Sequence, residues 1–395
     1  MKRDFVDYII PNASYDFENN PWFLSYPTGL FGKIDLENKK INYYGGVGVG
    51  DCLYVSDYID LISTDEKLFF IPSHQKEELR VLVYNIHTEE WEYIDLRKST
   101  VAEEHKSDLT FVRGIRIDEY IFLVPTAYDA IVRINIKTYK VDYIDNWIRE
   151  FENKLLDGQK YYFYGFVSRQ FVFKDDFLYI PFAAINGLIK INVKTLEDEI
   201  VYLNSDSLGF SCIYMLNDDI FLLTGGCENP NYLYIWRERE NKIECKIQMQ
   251  SNSGYLPVIR MVADAKDKVY LFPWQNMGND CLDLQIFNWK TKEIKNAGLI
   301  NSDDENQRER IVADEIVFVS KNKDACVRFV TGKDLQWHEY YVDSGEHRSF
   351  KIKADFSNEQ NMRVLIDYYK KFKAEGHPLS EQQIVLKKYI EEIVC

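Results

Sequence analysis

The stretch that decides the fold is FVRGIRIDEYIFLVP (residues 111–125), in which two runs rich in β-branched and aromatic residues flank the polar pair Asp118-Glu119. Such runs are typical of strands, and a short polar break between them is typical of a hairpin turn. The pattern recurs at intervals of about fifty residues. Its turn residues are Asn20, Asp65, Asp118, Asp175, Asp218, Asp267 and Asp314. The chain is therefore predicted to consist of repeated units.

A second tight turn fixes the order of strands within a unit. In the third unit, the turn Asn135-Ile-Lys-Thr138 begins at the end of the run IVRINI and precedes the run VDYID. Asn and Asp favour such turns because their side chains bond the backbone two residues further on. Equivalent turns begin at Asp35, Asn85, Asn192 and Asn288, and degenerate ones lie at 236–241 and 331–334. We interpret each unit as strands A, B, C and D, with polar turns joining A to B and C to D.

Seven units of four strands predict an all-β chain that folds as a seven-bladed β-propeller over residues 1–353. The order of the motifs resembles the propeller superfamily of Kelch and YVTN-type repeats across about residues 13–345. Gly225-Gly226 followed by Tyr232, Tyr234 and Trp236 looks like a Kelch blade. No other unit has a double glycine directly after its B strand, so the resemblance implies the fold and no single family. Propellers include binding proteins and enzymes, so function must be argued from a site.

Residues 354–395 change to a helical pattern. The segments 357–360 (SNEQ) and 380–383 (SEQQ) resemble capping boxes, and Gly376 and Pro378 lie between them. Apolar stripes follow at helical spacing in Val364, Leu365, Tyr368, Tyr369 and Phe372, and in Ile384, Leu386, Tyr389, Ile390 and Ile393. This predicts a C-terminal α-helical hairpin. Its apolar face packs on the propeller or, in the alternative, joins copies into a homo-oligomer or contacts a partner.

Closing a ring of blades requires that the strand edge at the junction be paired. Residues 5–10 could supply a strand from the N-terminus, whereas residues 337–342 could complete the seventh unit. The sequence leaves both alternatives open.

Composition restricts the partners. The chain has 395 residues, 46% of them hydrophobic, which supports an extended core. A net charge of −15 repels phosphate backbones and anionic lipids, so we expect neither nucleic acid nor membrane as a partner. The N-terminus lacks an apolar signal segment and the seven cysteines lack a CxxC pair, which predicts a cytoplasmic location.

Motifs for metals and cofactors are weak. Six histidines are dispersed without ligand spacing, so no metal is expected. The glycine-rich segment 45–50 resembles a dinucleotide-binding turn, but a strand-like run follows it where a helix would be required. We therefore expect no cofactor.

Candidate ligand-binding residues lie where the B-to-C and D-to-A connections emerge, which we name the loop end. Tyr128 and Trp274 fall in B-to-C loops, and variable loops on a rigid scaffold commonly carry binding groups. Arginines recur near the start of the A strands, at Arg113, Arg169, Arg260, Arg308 and Arg310. Grouped around the central channel they would bind an anionic or sugar-like ligand. In the alternative, each pairs with an acid of a neighbouring blade.

The longest D-to-A connection spans residues 146–168 and contains WIREFENKLL, which has apolar residues at helical spacing. A connection of this length is commonly functional or capping. We expect it either to cover the channel mouth as a lid over residues 161–164 or to cover the flank of a blade.

Two functional hypotheses follow. The favoured one is a non-catalytic binding or scaffold propeller that recognises a protein, peptide or glycan at the loop end. The alternative is a lyase, hydrolase or isomerase acting on an anionic or sugar-like substrate at the channel mouth. There Arg113, Arg169 and Arg260 would bind charge, and an acid or base would come from Asp129, Glu228, Asp280 or His74.

Overall fold

The computed structural model describes seventeen stretches of the chain. These are residues 8–15, 21–26, 29–47, 58–73, 79–97, 110–126, 128–155, 170–225, 232–249, 259–265, 268–273, 285–296, 311–320, 326–331, 336–341, 344–354 and 358–375. The strands within them form seven sheets, each with four antiparallel strands that are consecutive in sequence, and the first sheet has a fifth strand from near the end of the described chain. The fold is therefore propeller-like, with repeated four-stranded sheets as its units.

The first three sheets contain β1 (Tyr8–Tyr15), β2 (Pro21–Tyr26), β3 (Leu30–Asp35), β4 (Lys40–Gly46), β5 (Tyr58–Ser63), β6 (Lys67–Pro72), β7 (Arg80–Asn85), β8 (Trp91–Asp95), β9 (Phe111–Ile117), β10 (Tyr120–Pro125), β11 (Ile131–Asn135) and β12 (Val141–Ile144). Helix α1 (Trp147–Glu152) follows the third sheet.

The remaining four sheets contain β13 (Val172–Lys174), β14 (Phe177–Pro181), β15 (Gly187–Asn192), β16 (Asp198–Tyr202), β17 (Phe210–Met215), β18 (Ile220–Gly225), β19 (Tyr232–Arg237), β20 (Lys242–Gln248), β21 (Ile259–Ala265), β22 (Lys268–Pro273), β23 (Gln285–Asn288), β24 (Glu293–Asn296), β25 (Ile311–Ser320), β26 (Cys326–Thr331), β27 (Gln336–Tyr341) and β28 (His347–Lys351). The described residues end with β29 (Lys353–Ala354) and α2 (Glu359–Glu375).

The turns between C and D strands have the chemistry that the sequence predicts. The Asn135 side-chain oxygen accepts hydrogen bonds from the backbone amides of Lys137 and Thr138, both at 2.9 Å. Tyr139 then adopts a left-handed φ of 59° and donates its amide to the Asn135 carbonyl at 2.9 Å. The same geometry recurs after Asn85, Asn192 and Asn288. One asparagine thus satisfies the amides that the reversal leaves without strand partners.

Replacing Asn135 with Ala should destabilise the protein by about 1 kcal/mol, because two turn amides lose their acceptor. Asn135→Asp keeps an acceptor oxygen, as Asp35 does in the first sheet with the amide of Asn38, and should retain most of the stability. Urea unfolding of the two variants checks this. Equal losses in both would contradict the role of the side-chain oxygen.

The core lies between neighbouring sheets, not within one central layer. In the cluster between the second and third sheets, Phe69 and Val81 pack against Ile121 and Val132, and all four are fully buried. The B and C strands are therefore buried on both faces, which explains their continuous apolar runs. Each sheet depends on its two neighbours for burial.

The first sheet has neighbours on both sides, because its inner strand β1 lies beside β5 of the second sheet and β25 of the seventh. An N-terminal strand therefore sits at the junction, paired with β2 from Tyr8 to Tyr15. Of the two open alternatives, the segment around 337–342 does not finish its sheet. It forms β27, the third strand, and β28 lies outside it.

The seventh unit departs from the predicted pattern. The expected hairpin turn at Asp314 is wrong, since Asp314 lies inside the single strand β25. The register of β25 against β26 shifts between Ile311 and Ile316. Over this stretch β25 advances by five residues while β26 advances by two. The polar pair at 314–315 therefore falls in an irregular stretch of the strand, as in a large β-bulge, and the unit draws its fourth strand from residues further along the chain.

The outer edge of the first sheet is covered by the C-terminal part of the chain. Strand β29 pairs parallel with β4, with Lys353 opposite Lys40. Beyond it, Asn361 of α2 donates its side-chain amide to the carbonyl of Ile41 at 3.0 Å and accepts the amide of Tyr43 at 2.8 Å. Asn361 is buried. Its carboxamide occupies the place of a strand partner, so α2 protects an edge that would otherwise be open to pairing.

Asn361→Ala should lower the free energy of unfolding by about 1–3 kcal/mol, because one buried carbonyl and one buried amide of β4 lose their partners. The exposed neighbour Gln360 provides the control, and Gln360→Ala should change stability little. Thermal and urea unfolding of the full chain would measure the difference. Similar stability of both variants would contradict the proposed edge protection.

Several predictions fall on residues that the structure does not describe. The second tail helix, predicted after residue 380, lies outside the described residues, and the division at residue 353 stays a prediction. None of the helices in the described part of the chain is long and apolar enough to cross a membrane.

Candidate functional site

At the loop end, backbone hydrogen bonds connect the bases of the loops in one sheet to the neighbouring sheet. The amide of Thr110, which precedes β9, donates to the carbonyl of Ser73 at the end of β6 at 2.7 Å. The amide of Phe210 in β17 likewise donates to the carbonyl of Phe182 after β14 at 2.7 Å. The loops of one sheet are thus fixed to the inner strand of the next. The connections themselves project from a rigid base.

Four inner strands carry a bulge at the same place near the loop end. In β9, Arg113 pairs with Val124 and Phe111 pairs with Pro125, so that Val112 is an extra residue. The extra residues of β5, β9, β17 and β21 are Ile59, Val112, Ser211 and Arg260. Bulges redirect side chains and are common beside functional sites. The repeat therefore distorts its inner strands at the end where ligand binding is predicted.

The predicted arginines are placed unequally. Arg113 of β9 reaches toward the fourth sheet, with its guanidinium carbon 5.7 Å from the centroid of the Phe171 ring. Arg260 occupies the bulged position of β21. Arg169, Arg308, Arg310 and Trp274 lie outside the described residues. Convergence of these side chains on an anionic ligand stays a prediction.

Tyr128 holds its loop in place. It is buried, its hydroxyl donates to the carbonyl of Leu96 at 2.7 Å, and its ring centroid lies 5.1 Å from that of Phe111. The structure thus gives Tyr128, a predicted ligand-binding residue, an anchoring position between the second and third sheets. Tyrosine suits this place because its ring fills apolar space while its hydroxyl finds a partner.

Helix α1 packs on the flank of the fourth sheet. Its Trp147 and Phe151 are buried against Phe182, with the rings of Phe151 and Phe182 stacked at 4.8 Å. Glu150 accepts a hydrogen bond from Tyr202 of β16 at 2.9 Å. Burial and this bond to a carboxylate raise the pKa of Tyr202 to about 12. The contacts match the blade-flank alternative for this insertion, and residues 161–164 lie outside the described part.

The opposite end, formed by the A-to-B and C-to-D turns, is named the hairpin end. There a cation, a carboxylate and a tyrosine link the second and third sheets. Lys67 of β6 donates to the Tyr139 hydroxyl at 2.6 Å and to Glu92 of β8 at 2.9 Å, and Tyr139 donates to Glu92 at 2.5 Å. The bonds from Tyr139 and Lys67 lower the pKa of Glu92.

A related cluster links the fourth and fifth sheets. Lys174 of β13 donates to Glu238 at 2.7 Å, and Tyr179 donates to the same carboxylate. Burial and the bond to Glu238 raise the pKa of Tyr179. The cluster keeps a carboxylate paired and hydrogen-bonded where two sheets meet, as burial of charge requires.

The boundary between the third and fourth sheets, which we name the 3/4 seam, is built around Arg133. This side chain is buried and donates to Asp142 at 2.6 Å and to the carbonyl of Val193 at 2.9 Å, while stacking 4.4 Å from the Tyr120 ring centroid. Burial alone would raise the pKa of Asp142, but the bonds from Arg133 and Lys140 hold it below its usual value.

A cavity of about 680 Å³ opens at the hairpin end of the 3/4 seam, and we name it the seam groove. Its lining includes Arg116, Asp118, Lys137, Asp176 and Lys194. None of its lining residues is among the predicted ligand-binding residues, which belong to the loop end. The signal available in the sequence was the lysine at the third position of two successive C-to-D turns, Lys137 and Lys194.

Of the four acids and bases predicted for the enzyme alternative, Asp129 alone falls in the part that the structure describes. Asp129 is exposed, and His74, Glu228 and Asp280 lie outside that part. Within it, no three His, Cys, Asp or Glu side chains are grouped to hold a metal ion.

Comparisons with known proteins support the propeller fold alone. No family model and no curated protein matches the sequence. Among solved structures, dihydro-heme d1 dehydrogenase NirN in complex with DHE is 8% identical with a TM-score of 0.55, covering 88% of this chain and 67% of that one. A chain of the Mitotic Checkpoint Complex is 6% identical with a TM-score of 0.50, covering 89% of each chain.

The extracellular domain of BT4673 from B. thetaiotaomicron is 12% identical with a TM-score of 0.50. The match covers 83% of this chain and spans 37% of that domain. At such identities the likeness concerns architecture, so the Kelch and YVTN resemblance stays at the level of the fold.

Arg133→Met should destabilise the protein by about 3 kcal/mol, because Asp142 and the Val193 carbonyl lose a buried partner. Removing both charges, with Asp142→Leu added, should recover much of the loss. Since the folded-state pKa of Asp142 is depressed, the stability from its charge is complete above the unfolded-state pKa and is lost as pH falls through the folded-state value. The difference between wild type and Arg133→Met should therefore shrink below about pH 4 in urea unfolding.

Proposed function

We propose that this chain is a non-catalytic binding or scaffold propeller that recognises a protein, peptide or glycan through its loop end. The observation that carries the proposal is the pair of backbone hydrogen bonds that connect the loop stems of neighbouring sheets. In these bonds the amides of Thr110 and Phe210 donate to the carbonyls of Ser73 and Phe182. Several of these variable loops begin with proline. Loops on such a fixed base can bind a partner with little loss of their own conformational entropy. Arg113, Arg169, Arg260 and Arg310, with Trp274, are the side chains proposed to contact the ligand.

The wider assembly belongs to the same proposal. The seven sheets would form seven blades of a closed ring, consistent with β1 lying between β5 and β25. The C-terminal residues 354–395 would form the helical hairpin, with its first helix on the outer edge of the first sheet. The proposal also includes a cytoplasmic location and no nucleic-acid or membrane partner, and the net charge of −15 supports the partner call.

Exposed aromatic side chains on an outer strand, apart from the loop end, favour a protein as the class of partner. Trp91 and Tyr93 of β8 expose 44% and 59% of their surface, and the Arg80 guanidinium lies 4.4 Å from the Tyr93 ring centroid. Trp, Tyr and Arg are the residue types that dominate binding energy at protein interfaces. The match to a chain of the Mitotic Checkpoint Complex agrees with use of this fold in protein assemblies. The match to NirN, a dehydrogenase, keeps the fold compatible with enzymes.

The test uses the full chain as bait in extract of its native organism, together with a thermal-shift screen against peptides, sugar phosphates and uronates. Exchanging the sixth-unit loop, residues 274–284, for a Gly-Ser linker should abolish binding of the partner protein. With a small ligand, it should abolish the ligand-induced rise in melting temperature. Arg239→Gln provides the control, because Arg239 is exposed at the hairpin end and its nearest carboxylate, Asp219, is 3.8 Å away. Chemical conversion of a screened compound, or undiminished binding by the loop variant, would reject the proposal.

A further inference from the structure

Two aromatic side chains lie exposed on one face of β8, the outer strand of the second sheet. Trp91 and Tyr93 are two residues apart, so they project from the same face, and 44% and 59% of their surfaces are exposed. The other large hydrophobic side chains that are exposed in the described part of the chain, Phe173 and Leu208, lie elsewhere at 39% each. We name this surface, with Arg80 stacked beside Tyr93, the β8 face.

The β8 face continues the boundary between the first and second sheets. The Trp91 ring centroid lies 5.7 Å from that of Phe31 in β3 and 4.8 Å from that of Tyr84, its cross-strand neighbour in β7. Burial raises the pKa of Tyr84 to about 12, and the charge of Arg363 in α2 opposes this rise, so the two side chains are within electrostatic range. Helix α2 is therefore beside the boundary that the β8 face extends.

The chain continues beyond α2 with residues 376–395, which lie outside the described residues and which we name the tail. Gly376 and Pro378 lie at its start, where a helix stop is predicted. An apolar stripe follows at helical spacing, in Leu386, Tyr389, Ile390 and Ile393. A helix with such a stripe is stable when the stripe is buried against an apolar surface.

A short connection limits where the predicted tail helix can lie. Residues 376–379 span at most about 14 Å even when extended. The helix predicted from residue 380 should therefore lie alongside α2, as the second helix of a helical hairpin does. Helix α2 lies on the first sheet, whose neighbours are the second and seventh sheets. The tail should thus lie toward one of these two sheets.

The apolar stripe selects the second sheet. On the side of the seventh sheet, the outer strand β28 exposes the polar residues His347, Arg348 and Ser349. On the side of the second sheet, Trp91 and Tyr93 offer exposed aromatic surface. Aromatic side chains contribute large apolar areas when they are buried, so covering them with the stripe removes apolar surface of both partners from water.

The charges at the border of the two surfaces are opposite. Glu89 and Glu90 are exposed directly before Trp91. Lys387 follows Leu386 and so flanks the apolar stripe on the predicted helix. An exposed pair of this kind contributes little energy, but it favours an orientation that avoids like charges.

We propose that the tail folds back along α2 and docks its apolar stripe on the β8 face. In the free protein it would then cover the aromatic side chains that favour a protein partner. A partner that uses this face would have to displace the tail, so the tail would regulate binding there. This regulatory consequence rests on the proposed function, whereas the docking itself does not.

Hydroxyl-radical footprinting with mass spectrometry tests the docking on the full chain. Phe173, which is 39% exposed, gives the reference for an uncovered side chain. With the tail docked, labelling of Trp91 and Tyr93, each relative to the unfolded chain, should be about threefold lower than that of Phe173. Ile390→Asp should remove this protection, because burying a carboxylate is costly. Lys388→Gln changes the net charge by the same amount on the opposite side of the helix and should retain the protection.

Labelling of Trp91 and Tyr93 at the level of Phe173 in the wild-type chain would overturn the proposal. So would protection that persists in a folded Ile390→Asp variant, as judged by circular dichroism. Protection that is lost on dilution would also overturn it, because the occupant would then be a second copy of the chain.

A reciprocal variant keeps the test decisive if Ile390→Asp does not fold. Tyr93→Ser alters the exposed β8 face, and hydrogen exchange of the amides of residues 384–393 should become faster if the tail docks there. Unchanged exchange would contradict the docking. The loop exchange at residues 274–284 should leave the protection of Trp91 intact, so failure of the loop-end proposal is distinguishable from failure of this one.

Discussion

Burial between sheets is the constraint on which the rest of this structure depends. A four-stranded sheet has two apolar faces and can cover them only against its neighbours. Buried side chains such as Phe69 and Ile121 come from different sheets yet share one cluster. Because each boundary must also accommodate polar turns, the boundaries contain paired charges as well as apolar contacts. The features that distinguish one part of the molecule from another therefore lie at the boundaries.

The clusters at the hairpin end link neighbouring sheets through different combinations of charged side chains. Lys67, Glu92 and Tyr139 join one pair of sheets, while Arg133 and Asp142 join the next with a backbone carbonyl of the following sheet. Both arrangements keep a carboxylate ionised beside a cation. They differ in their side chains, and the boundary built around Arg133 contains the seam groove.

The ends of the chain solve a second problem, which is the exposure of strand edges. The N-terminal strand β1 starts the first sheet, and the C-terminal β29 and Asn361 cover its outer edge. A single sheet thus fixes both ends of the described chain. An open edge at this place would invite pairing with other chains.

The repeat, the strands and the turns could be predicted from the sequence, because β-propensity and the hydrogen bonds of Asn and Asp act within a few residues. The predicted A and B strands of the third unit coincide with β9 and β10, and Asn135 forms the predicted turn. Local pattern failed at Asp314, where strand register overrides a polar pair. The burial of Tyr128, the edge cover by Asn361 and the seam groove between the third and fourth sheets became visible in the folded chain. Each of these depends on side chains that are distant in sequence and meet only when sheets pack together.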